Sequence, residues 1–308
     1  MASAQNGILM VSYIVLIISV IALLIATIHF FIKKTSKSNS ESYSKSTSDP
    51  SNQKRTVVTG FFNINRESWK DHGRSLKEYY ERAKPNMALN ENMVIFVEPN
   101  SVDFVSQERT KAGLMNKTVI VPMRLEDLPK YALRDKIKSI QESPEFKKGQ
   151  AAPATPEMCN PDYLIVIWSK TDLVKMAIER ADFGSSHYGW MDFGLAKSYR
   201  GDLIPKVRFS DKIKILCNSL PQESDLNRAV MAKSHTNRFA ACFFTGSSCQ
   251  FLKFIEGVDK EIDEFLRLNV VDCEQTMYSN VFLLHKDWFD LIFGYWEETV
   301  SGHLVDCK

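Results

Sequence analysis

The sequence lacks a surplus of charge of one sign. Lys and Arg number 39 and Asp and Glu number 37 among 308 residues, which gives a formal net charge of +2. Proteins that bind nucleic acid mainly through its backbone carry a clear excess of basic residues. The balance gives no indication of a nucleic-acid partner, and we expect none.

Cysteine is scarce and lacks the spacing of a metal or redox motif. The six cysteines form no CxxC pair, and none stands with a histidine in zinc-finger spacing. We therefore predict free, buried thiols. An even number of cysteines would also suit disulfides if the domain faced an oxidising compartment.

The signatures of a protein kinase are incomplete. The triplet Asp-Phe-Gly occurs at residues 182–184 and 192–194, and it is spelled like the metal-binding triplet of kinases. A kinase also needs a Gly-rich phosphate loop and a His-Arg-Asp catalytic loop. The sequence contains neither GxGxxG nor His-Arg-Asp, which excludes a kinase.

One long apolar run is present near the N-terminus. Residues 8–32 carry no charged side chain and are dominated by Ile, Leu and Val. A helix of this length spans roughly 37 Å, more than the ~30 Å hydrocarbon core of a bilayer. A cleavable signal peptide would have a basic start, a shorter apolar core and a small-residue cleavage site. We therefore predict a short tail (1–7) and an uncleaved transmembrane helix (8–32).

The composition of residues 33–55 predicts a flexible stem. Most of this segment is rich in Ser, Lys and Asn and has no apolar periodicity. Lys33, Lys34 and Lys37 follow the span directly and favour a cytosolic domain by the positive-inside tendency. A lone N-glycosylation sequon at 116–118 would suit a lumenal domain.

In the remaining chain, residues 56–308, the pattern of apolar residues predicts one domain of alternating strands and helices. Short β-branched or apolar runs indicate strands, and stretches with helical spacing lie between them. The predicted strands are residues 55–62, 93–97, 118–122, 188–191, 209–216 and 238–244. The predicted helices are residues 68–84, 102–114, 125–148, 163–180, 249–269 and 273–282. This alternation is typical of an α/β fold with a largely parallel sheet flanked by helices.

Asp192 stands directly after the predicted strand 188–191. In open α/β sheets, ligands bind beyond the carboxyl ends of the strands. A carboxylate there can hold a divalent cation that neutralises a diphosphate. Alternatively, Asp192 caps the following turn of the chain.

Five segments together resemble the HtrL/YibB (WlaTC-type) family of proposed glycosyltransferases. They are VTGFFNINRESW (58–69), VIFVE (94–98), NPDY (160–163), WSK (168–170) and GWMDFG (189–194). The likeness covers roughly residues 56–300, nearly all of the folded part. It implies a GT-A-like, Rossmann-type fold that binds a nucleotide sugar.

The resemblance implies a donor-binding set. Thr59 and Gly60 would lie in the loop after the first strand, against the nucleotide, and Arg66 would reach its base or phosphates. Lys170 would point toward the diphosphate, and Trp190 would stack on a sugar. The alternative for Arg66 and Lys170 is a solvated charge on a helix.

The resemblance also implies Mn²⁺ or Mg²⁺ at Asp192, which is similar to the first carboxylate of a DxD metal motif. The sequence departs from that motif, because Gly194 stands where the second Asp would be. A single carboxylate binds such a cation weakly, so the diphosphate and another residue must complete the shell. His285 and His303 are the candidates, although an ordinary surface or core position suits each of them too.

On the acceptor side, Thr245 and Gly246 resemble a loop of GT-A enzymes, and Asp272, Glu274 and Gln275 resemble their acidic-Gln segment. A carboxylate here could take the proton from an acceptor hydroxyl as it attacks the anomeric carbon. The alternative is that Asp272 caps a helix and Glu274 stabilises its first turn.

These features predict a membrane-anchored glycosyltransferase that moves a sugar from a nucleotide-sugar donor to a hydroxyl of a glycan or lipid acceptor. The alternative is a membrane-tethered binding module that keeps the fold and the pocket without turnover. An endomembrane location (ER or Golgi) follows from the resemblance. We favour a lumenal domain, although the lysines that follow the span indicate the cytosol.

Overall fold

A computed structural model of the protein describes residues 54–195 and 209–293. The strands are β1 (Arg55–Phe61), β2 (Asn92–Val97), β3 (Thr118–Pro122), β4 (His187–Met191), β5 (Ile213–Cys217), β6 (Phe239–Ser247) and β7 (Phe289–Phe293). The helices are α1 (Leu76–Met87), α2 (Val102–Lys111), α3 (Arg134–Glu142), α4 (Pro144–Lys147), α5 (Pro156–Cys159), α6 (Pro161–Trp168), α7 (Lys170–Arg180), α8 (Arg228–Ser234), α9 (Ser248–Arg267) and α10 (Glu274–Leu284). The predicted α/β class is confirmed.

The seven described strands form one mixed, mostly parallel sheet in the order β3-β2-β1-β4-β6-β5-β7. β1 is parallel to β2 and β4, β2 is parallel to β3, and β5 is parallel to β7. β6 runs antiparallel to both of its neighbours, β4 and β5. The last residue of β6, Ser247, therefore pairs with the first residue of β4, His187.

Both faces of the sheet are covered, as continuous apolar runs require. Alternate residues of β2 point to opposite faces. Val94 and Phe96 join a large apolar cluster with α6, α7, α9 and α10, whereas Met93 and Ile95 join a second cluster with α1 and α2. The sheet is thus the middle layer between two sets of helices.

The stretch 163–180, predicted as one helix, consists of two helices that meet at Ser169. The first begins where the side chain of Asn160 accepts a hydrogen bond from the N–H of Tyr163. Neither proline nor glycine marks the break, so helix propensity could not place it. Because of the break, Lys170 becomes the first residue of α7, and it is buried.

The C-terminal half of the sheet differs most from the prediction. β6 continues past residue 244 and includes Thr245 and Gly246 before it ends at Ser247. β7 was not predicted. Strand ends and edge pairing depend on neighbours that are distant in sequence, so the local pattern does not specify them.

The predicted tail (1–7), transmembrane helix (8–32) and all but the last two residues of the predicted stem (33–55) lie outside the described residues. Among the helices of residues 54–195 and 209–293, none is long and apolar enough to cross a membrane. The five cysteines in these ranges are all free; Cys217 and Cys273 are buried as predicted, whereas Cys159 and Cys249 are exposed.

Candidate active site

A cavity of about 560 Å³ lies at the carboxyl edge of the sheet. It is lined by Gly60 and Phe61 at the end of β1, by Asp192 directly after β4 and by Asn218 directly after β5. From β1 the chain first builds the sheet toward β2 and β3 and then crosses to β4 on the other side. Ligands of open α/β sheets bind in the crevice at such a reversal of strand order.

The ammonium of Lys170 joins two carboxylates of this cavity. Its Nζ lies 2.9 Å from Oδ1 of Asp192 and 2.6 Å from Oε1 of Glu274. The side chains of Lys170 and Glu274 are 7% and 4% exposed, whereas that of Asp192 is 38% exposed. Burial alone would lower the pKa of Lys170, but the two carboxylates outweigh it and hold that pKa well above its ordinary value. Lys170 is therefore a fixed cation behind a carboxylate that faces the cavity.

The turn that carries Asp192 is held on three sides. Trp190 Nε1 donates to Asp192 Oδ1 at 2.7 Å. Asn86 Nδ2 donates to the main-chain oxygens of Asp192 and Phe193 at 3.0 and 2.9 Å, and the N–H of Asp192 donates to the oxygen of Cys242 at 2.8 Å. Trp190 is itself 3% exposed, so it orients Asp192 and offers no open ring face to a sugar.

The start of α10 places Glu274 in the cavity wall and Asp272 outside it. Burial raises the pKa of Glu274, and Lys170 partly offsets that increase. Asp272 accepts hydrogen bonds from the N–H of Cys273 at 2.7 Å and from the hydroxyl of Thr276 at 2.8 Å. Both of its oxygens thus bond to residues at the start of α10, although the N-cap position of that helix is Cys273 and not Asp272.

Three arginines line the cavity on the side of α1 and the turn before it: Arg66, Arg74 and Arg82. The guanidinium of Arg66 lies over the rings of Trp69 and Tyr163, 5.2 and 5.6 Å from their centroids. Its Nη1 donates to the hydroxyl of Tyr79 at 2.9 Å, and its Nε donates to the oxygen of His72 at 3.1 Å.

Amides and a third carboxylate complete the lining. Asn218, Asn237 and Gln275 come from the end of β5, the loop before β6 and the first turn of α10. Glu157 of α5 also lines the cavity. Oε2 of Glu157 and Oδ1 of Asn218 are buried without a hydrogen-bond partner within the described ranges. Buried polar atoms without partners are costly, so these two are suited to a polar ligand.

The structure brings together seven of the residues that the sequence assigned to a site. They are Gly60, Arg66, Lys170, Trp190, Asp192, Glu274 and Gln275, and all line the cavity. Gly60 lies within β1 and not in a loop after it. Thr59 also lies within β1, is fully buried and does not line the cavity.

Thr245 and Gly246, which the sequence placed on the acceptor side, do not line this cavity. They lie near the end of β6, where Gly246 pairs with Tyr188 near the start of β4. Because β6 is antiparallel, its end lies at the edge of the sheet opposite the cavity. The hydroxyl of Thr245 donates to the oxygen of Tyr188 at 2.7 Å, which stabilises the sheet.

The donor set does not fit a dedicated divalent-cation site. Within residues 54–195 and 209–293, no group of three or more His, Cys, Asp or Glu side chains could hold a metal ion. The contacts of the Asp192 carboxylate, to Trp190 and Lys170, both go to Oδ1, so an ammonium already balances the charge of the one carboxylate that the sequence assigned to a metal. His285 stacks on Trp288 with ring centroids 3.8 Å apart and does not line the cavity. His303 lies outside the described residues.

Five lining residues with charged or amide side chains were not predicted from the sequence: Arg74, Arg82, Glu157, Asn218 and Asn237. The sequence does show that Asn218 is separated by one residue from the end of the predicted strand 209–216, so the rule that singled out Asp192 could have found it too. The other four lie on a helix, on a loop and on a one-turn helix. No local pattern marks those positions as facing the cavity.

Comparison with known families decides the relationship of the chain. The model of a family described as bacterial protein of unknown function (HtrL_YibB) matches residues 53–301. The chain belongs to the HtrL_YibB family. Its match to Protein HtrL of Escherichia coli K12 is 26% identical over 149 residues and covers 45% of this chain. The match spans only half (50%) of the length of that relative.

Two solved structures match the chain at low similarity. Mouse xyloside xylosyltransferase 1 in its apo form matches with a TM-score of 0.39 and 10% identity over 78% of this chain and 84% of that one. The 4-diphosphocytidyl-2C-methyl-D-erythritol synthase of Anaerococcus prevotii matches with a TM-score of 0.37 and 10% identity over 80% of this chain and 90% of that one. TM-scores this low do not establish a shared fold.

Proposed function

We propose that this HtrL_YibB domain is a glycosyltransferase that binds a nucleotide sugar in the cavity at the carboxyl edge of the sheet. The observation that carries the proposal is the cavity's lining. It combines fixed cations, a carboxylate next to one of them, and amide side chains at the point where the strand order reverses. A sugar nucleotide presents the matching groups, which are a diphosphate, a leaving oxygen and a set of hydroxyls.

On the donor side, Lys170 would stabilise the charge that develops on the departing diphosphate. Its ammonium is pre-positioned by Asp192 and Glu274 at 2.9 and 2.6 Å. A preorganised charge costs no rearrangement when the reaction occurs, and it acts strongly in a site that excludes water. Asp192 thereby has the role of orienting Lys170, and no divalent cation forms part of the proposal.

On the acceptor side, Glu274 would take the proton from the attacking hydroxyl. The oxygen then bonds to the anomeric carbon while the bond from that carbon to the diphosphate breaks. Burial raises the pKa of Glu274, which brings the carboxylate closer to the basicity that favours proton transfer near neutral pH. Asn218, Asn237 and Gln275 supply amides that can hold sugar hydroxyls.

One observation favours the second candidate, a binding module without turnover. The carboxylate of Glu274 already forms an ion pair with Lys170 at 2.6 Å and is 4% exposed. A carboxylate held in this way is a weaker base unless the ligand displaces the ammonium. Binding of a nucleoside diphosphate without any transfer would support this candidate.

A transfer assay with the full-length chain in detergent distinguishes the two. Nucleotide sugars would be supplied singly with a mixture of glycan and lipid acceptors, and released nucleoside diphosphate would be measured. We expect release with at least one donor and a loss of roughly 100-fold or more in Glu274→Gln, as for removal of a general base. The control Glu256→Gln changes an exposed residue of α9 and should retain the rate. Equal rates in wild type and Glu274→Gln would contradict the assigned base.

A further inference from the structure

The three arginines of the cavity have no acidic partner. Within residues 54–195 and 209–293, neither Arg66 nor Arg74 nor Arg82 forms an ion pair, although many other arginines of the domain do. Glu78 on α1 turns its carboxylate to the N–H and hydroxyl of Ser75, at 2.9 and 3.1 Å. The guanidiniums of Arg66 and Arg74 contact aromatic rings instead: that of Arg74 lies 4.9 Å from the centroid of the Tyr79 ring.

Their mutual repulsion is visible in the electrostatics of Arg74. Burial lowers the pKa of Arg74, and the charges of Arg82 and Arg66 lower it further, whereas Tyr79 and the more weakly acting carboxylate of Glu78 raise it. Like charges that are held together at a partly desolvated site destabilise the empty cavity. An anion that bound there would relieve the repulsion, and so the arrangement favours a ligand with more than one negative charge.

The position of Gly194 connects this cluster to Asp192. A Cβ atom on residue 194 would lie 3.4 Å from Cβ of Arg82 and 3.9 Å from Cδ1 of Tyr79. The chain therefore places an arginine beside the position where a second metal-binding carboxylate would stand. The positive charge that a divalent cation would bring is already supplied by side chains of α1 and the turn before it.

We propose that Arg66, Arg74 and Arg82 bind the diphosphate of the donor directly, so that the donor binds without a divalent cation. Guanidiniums present forks of N–H donors that match phosphate oxygens in pairs. The stacking of Arg66 on Trp69 and Tyr163 fixes its plane before the ligand arrives. This proposal rests on the proposed function, because it names the groups that hold the donor of that reaction.

The test is calorimetric binding of UDP, GDP, ADP and CDP to the full-length chain in detergent, once with EDTA and once with MnCl₂. We expect at least one nucleotide to bind with the same Kd in both buffers. The double variant Arg74→Gln/Arg82→Gln should weaken it roughly 100-fold, or about tenfold for each charged hydrogen-bonding group removed. The control Arg267→Gln, an exposed residue of α9, should bind as the wild type does.

Two further measurements, the melting temperature and the Kd of a Lys variant, separate an effect on binding from an effect on folding. Because the empty site is repulsive, we expect the melting temperature of the ligand-free double variant to equal or exceed that of the wild type. Arg82→Lys keeps the charge but loses the fork, so its Kd should lie between those of the wild type and Arg82→Gln. A fall in melting temperature, together with equal Kd values for Arg82→Lys and Arg82→Gln, would assign the arginines to structure and overturn the inference.

The remaining outcomes separate this inference from the proposed function. Binding that requires Mn²⁺ and is unchanged in the double variant would overturn the arginine site but leave a nucleotide-binding domain. No binding of any of the four nucleotides in either buffer would overturn both.

Discussion

At the scale of single residues, Lys170 joins the two parts of the cavity wall that we propose for the donor and the acceptor. It is buried between Asp192 and Glu274 and donates to the oxygen of Ala241 as well. Its removal would leave the Glu274 carboxylate buried without its partner. Breaking a buried ion pair from one side is far more destabilising than removing both charges.

We predict that Lys170→Met lowers the free energy of unfolding by about 3 kcal/mol. The double variant Lys170→Met/Glu274→Gln should recover part of that loss, because no charge then stays buried alone. Urea denaturation of the four proteins of this double-mutant cycle measures the coupling. The exposed pair Lys84–Glu81 is the control, and Lys84→Met should have no measurable effect. Additive effects at positions 170 and 274 would contradict the buried pair.

Because Asp272 is buried, we predict that the free energy of unfolding depends on pH. Burial raises its pKa to about 7, although its bonds to Thr276 and Cys273 act in the opposite direction. The unfolded value is near ~3.9, so the native state binds more protons between about pH 4 and pH 7. Stability from this group is therefore present below about pH 4 and is lost as the pH rises toward 7.

Asp272→Asn removes this titration. We expect the melting temperature of the wild type to fall relative to that of the variant as the pH rises from 4 to 7. Above pH 7 the difference between the two should stay constant. A difference that does not change across the whole range would show that Asp272 does not titrate there.

At the scale of elements, the direction of β6 decides which of its residues can reach the cavity. The apolar pattern predicts a strand near residues 238–244 but carries no information about its direction. Pairing with β4 and β5 makes it antiparallel, so the loop before it, with Asn237, lines the cavity, and its end does not. Direction depends on tertiary packing, which is why the sequence did not show that Thr245 and Gly246 lie away from the cavity.

We predict that Gly246→Ala lowers the free energy of unfolding of the domain without changing its affinity for a nucleoside diphosphate. The added Cβ would lie 2.9 Å from the main-chain oxygen of Lys212 and 2.9 Å from Cδ1 of Ile213. Overpacking of this kind costs about 1–3 kcal/mol. At a temperature where the variant is folded, its Kd for a nucleoside diphosphate should equal that of the wild type. A larger Kd for the variant under those conditions would show that this end of β6 contributes to ligand binding.

Other elements show how far the sequence leads. The predicted strand 118–122 coincides with β3, and 188–191 differs from β4 by one residue, because continuous apolar runs and flanking polar residues mark their ends. The same pattern placed Asp192 beyond a strand. Arg82 lies on α1, which packs against the turn after β4, as the hydrogen bonds from Asn86 of α1 to the main-chain oxygens of Asp192 and Phe193 show. Long-range packing of this kind leaves no local signal.

At the scale of the whole molecule, the predicted anchor at residues 8–32 raises the question of which side of the membrane the domain occupies. We propose a lumenal domain in an endomembrane, since glycans and lipid-linked acceptors are built there. Asn116 of the sequon is exposed and would be open to glycosylation. Lys33, Lys34 and Lys37 favour the opposite side.

Protease protection in intact microsomes separates the two sides. We expect the domain to be protected until detergent is added, and we expect a glycosidase-sensitive mass shift that is absent in Asn116→Gln. Digestion of the domain in intact microsomes would place it in the cytosol. Recovery of the protein in the supernatant after carbonate extraction would show that residues 8–32 do not anchor it.

We propose that the cavity at the reversal of strand order binds the diphosphate of a nucleotide sugar. The position of a bound nucleoside diphosphate, determined crystallographically in the presence of EDTA, tests it most directly. We expect phosphate oxygens within hydrogen-bonding distance of Arg74 and Arg82, with the terminal phosphate, which carries the sugar in the donor, directed toward Lys170 and Glu274. A nucleotide bound elsewhere on the domain, with this cavity empty, would contradict it.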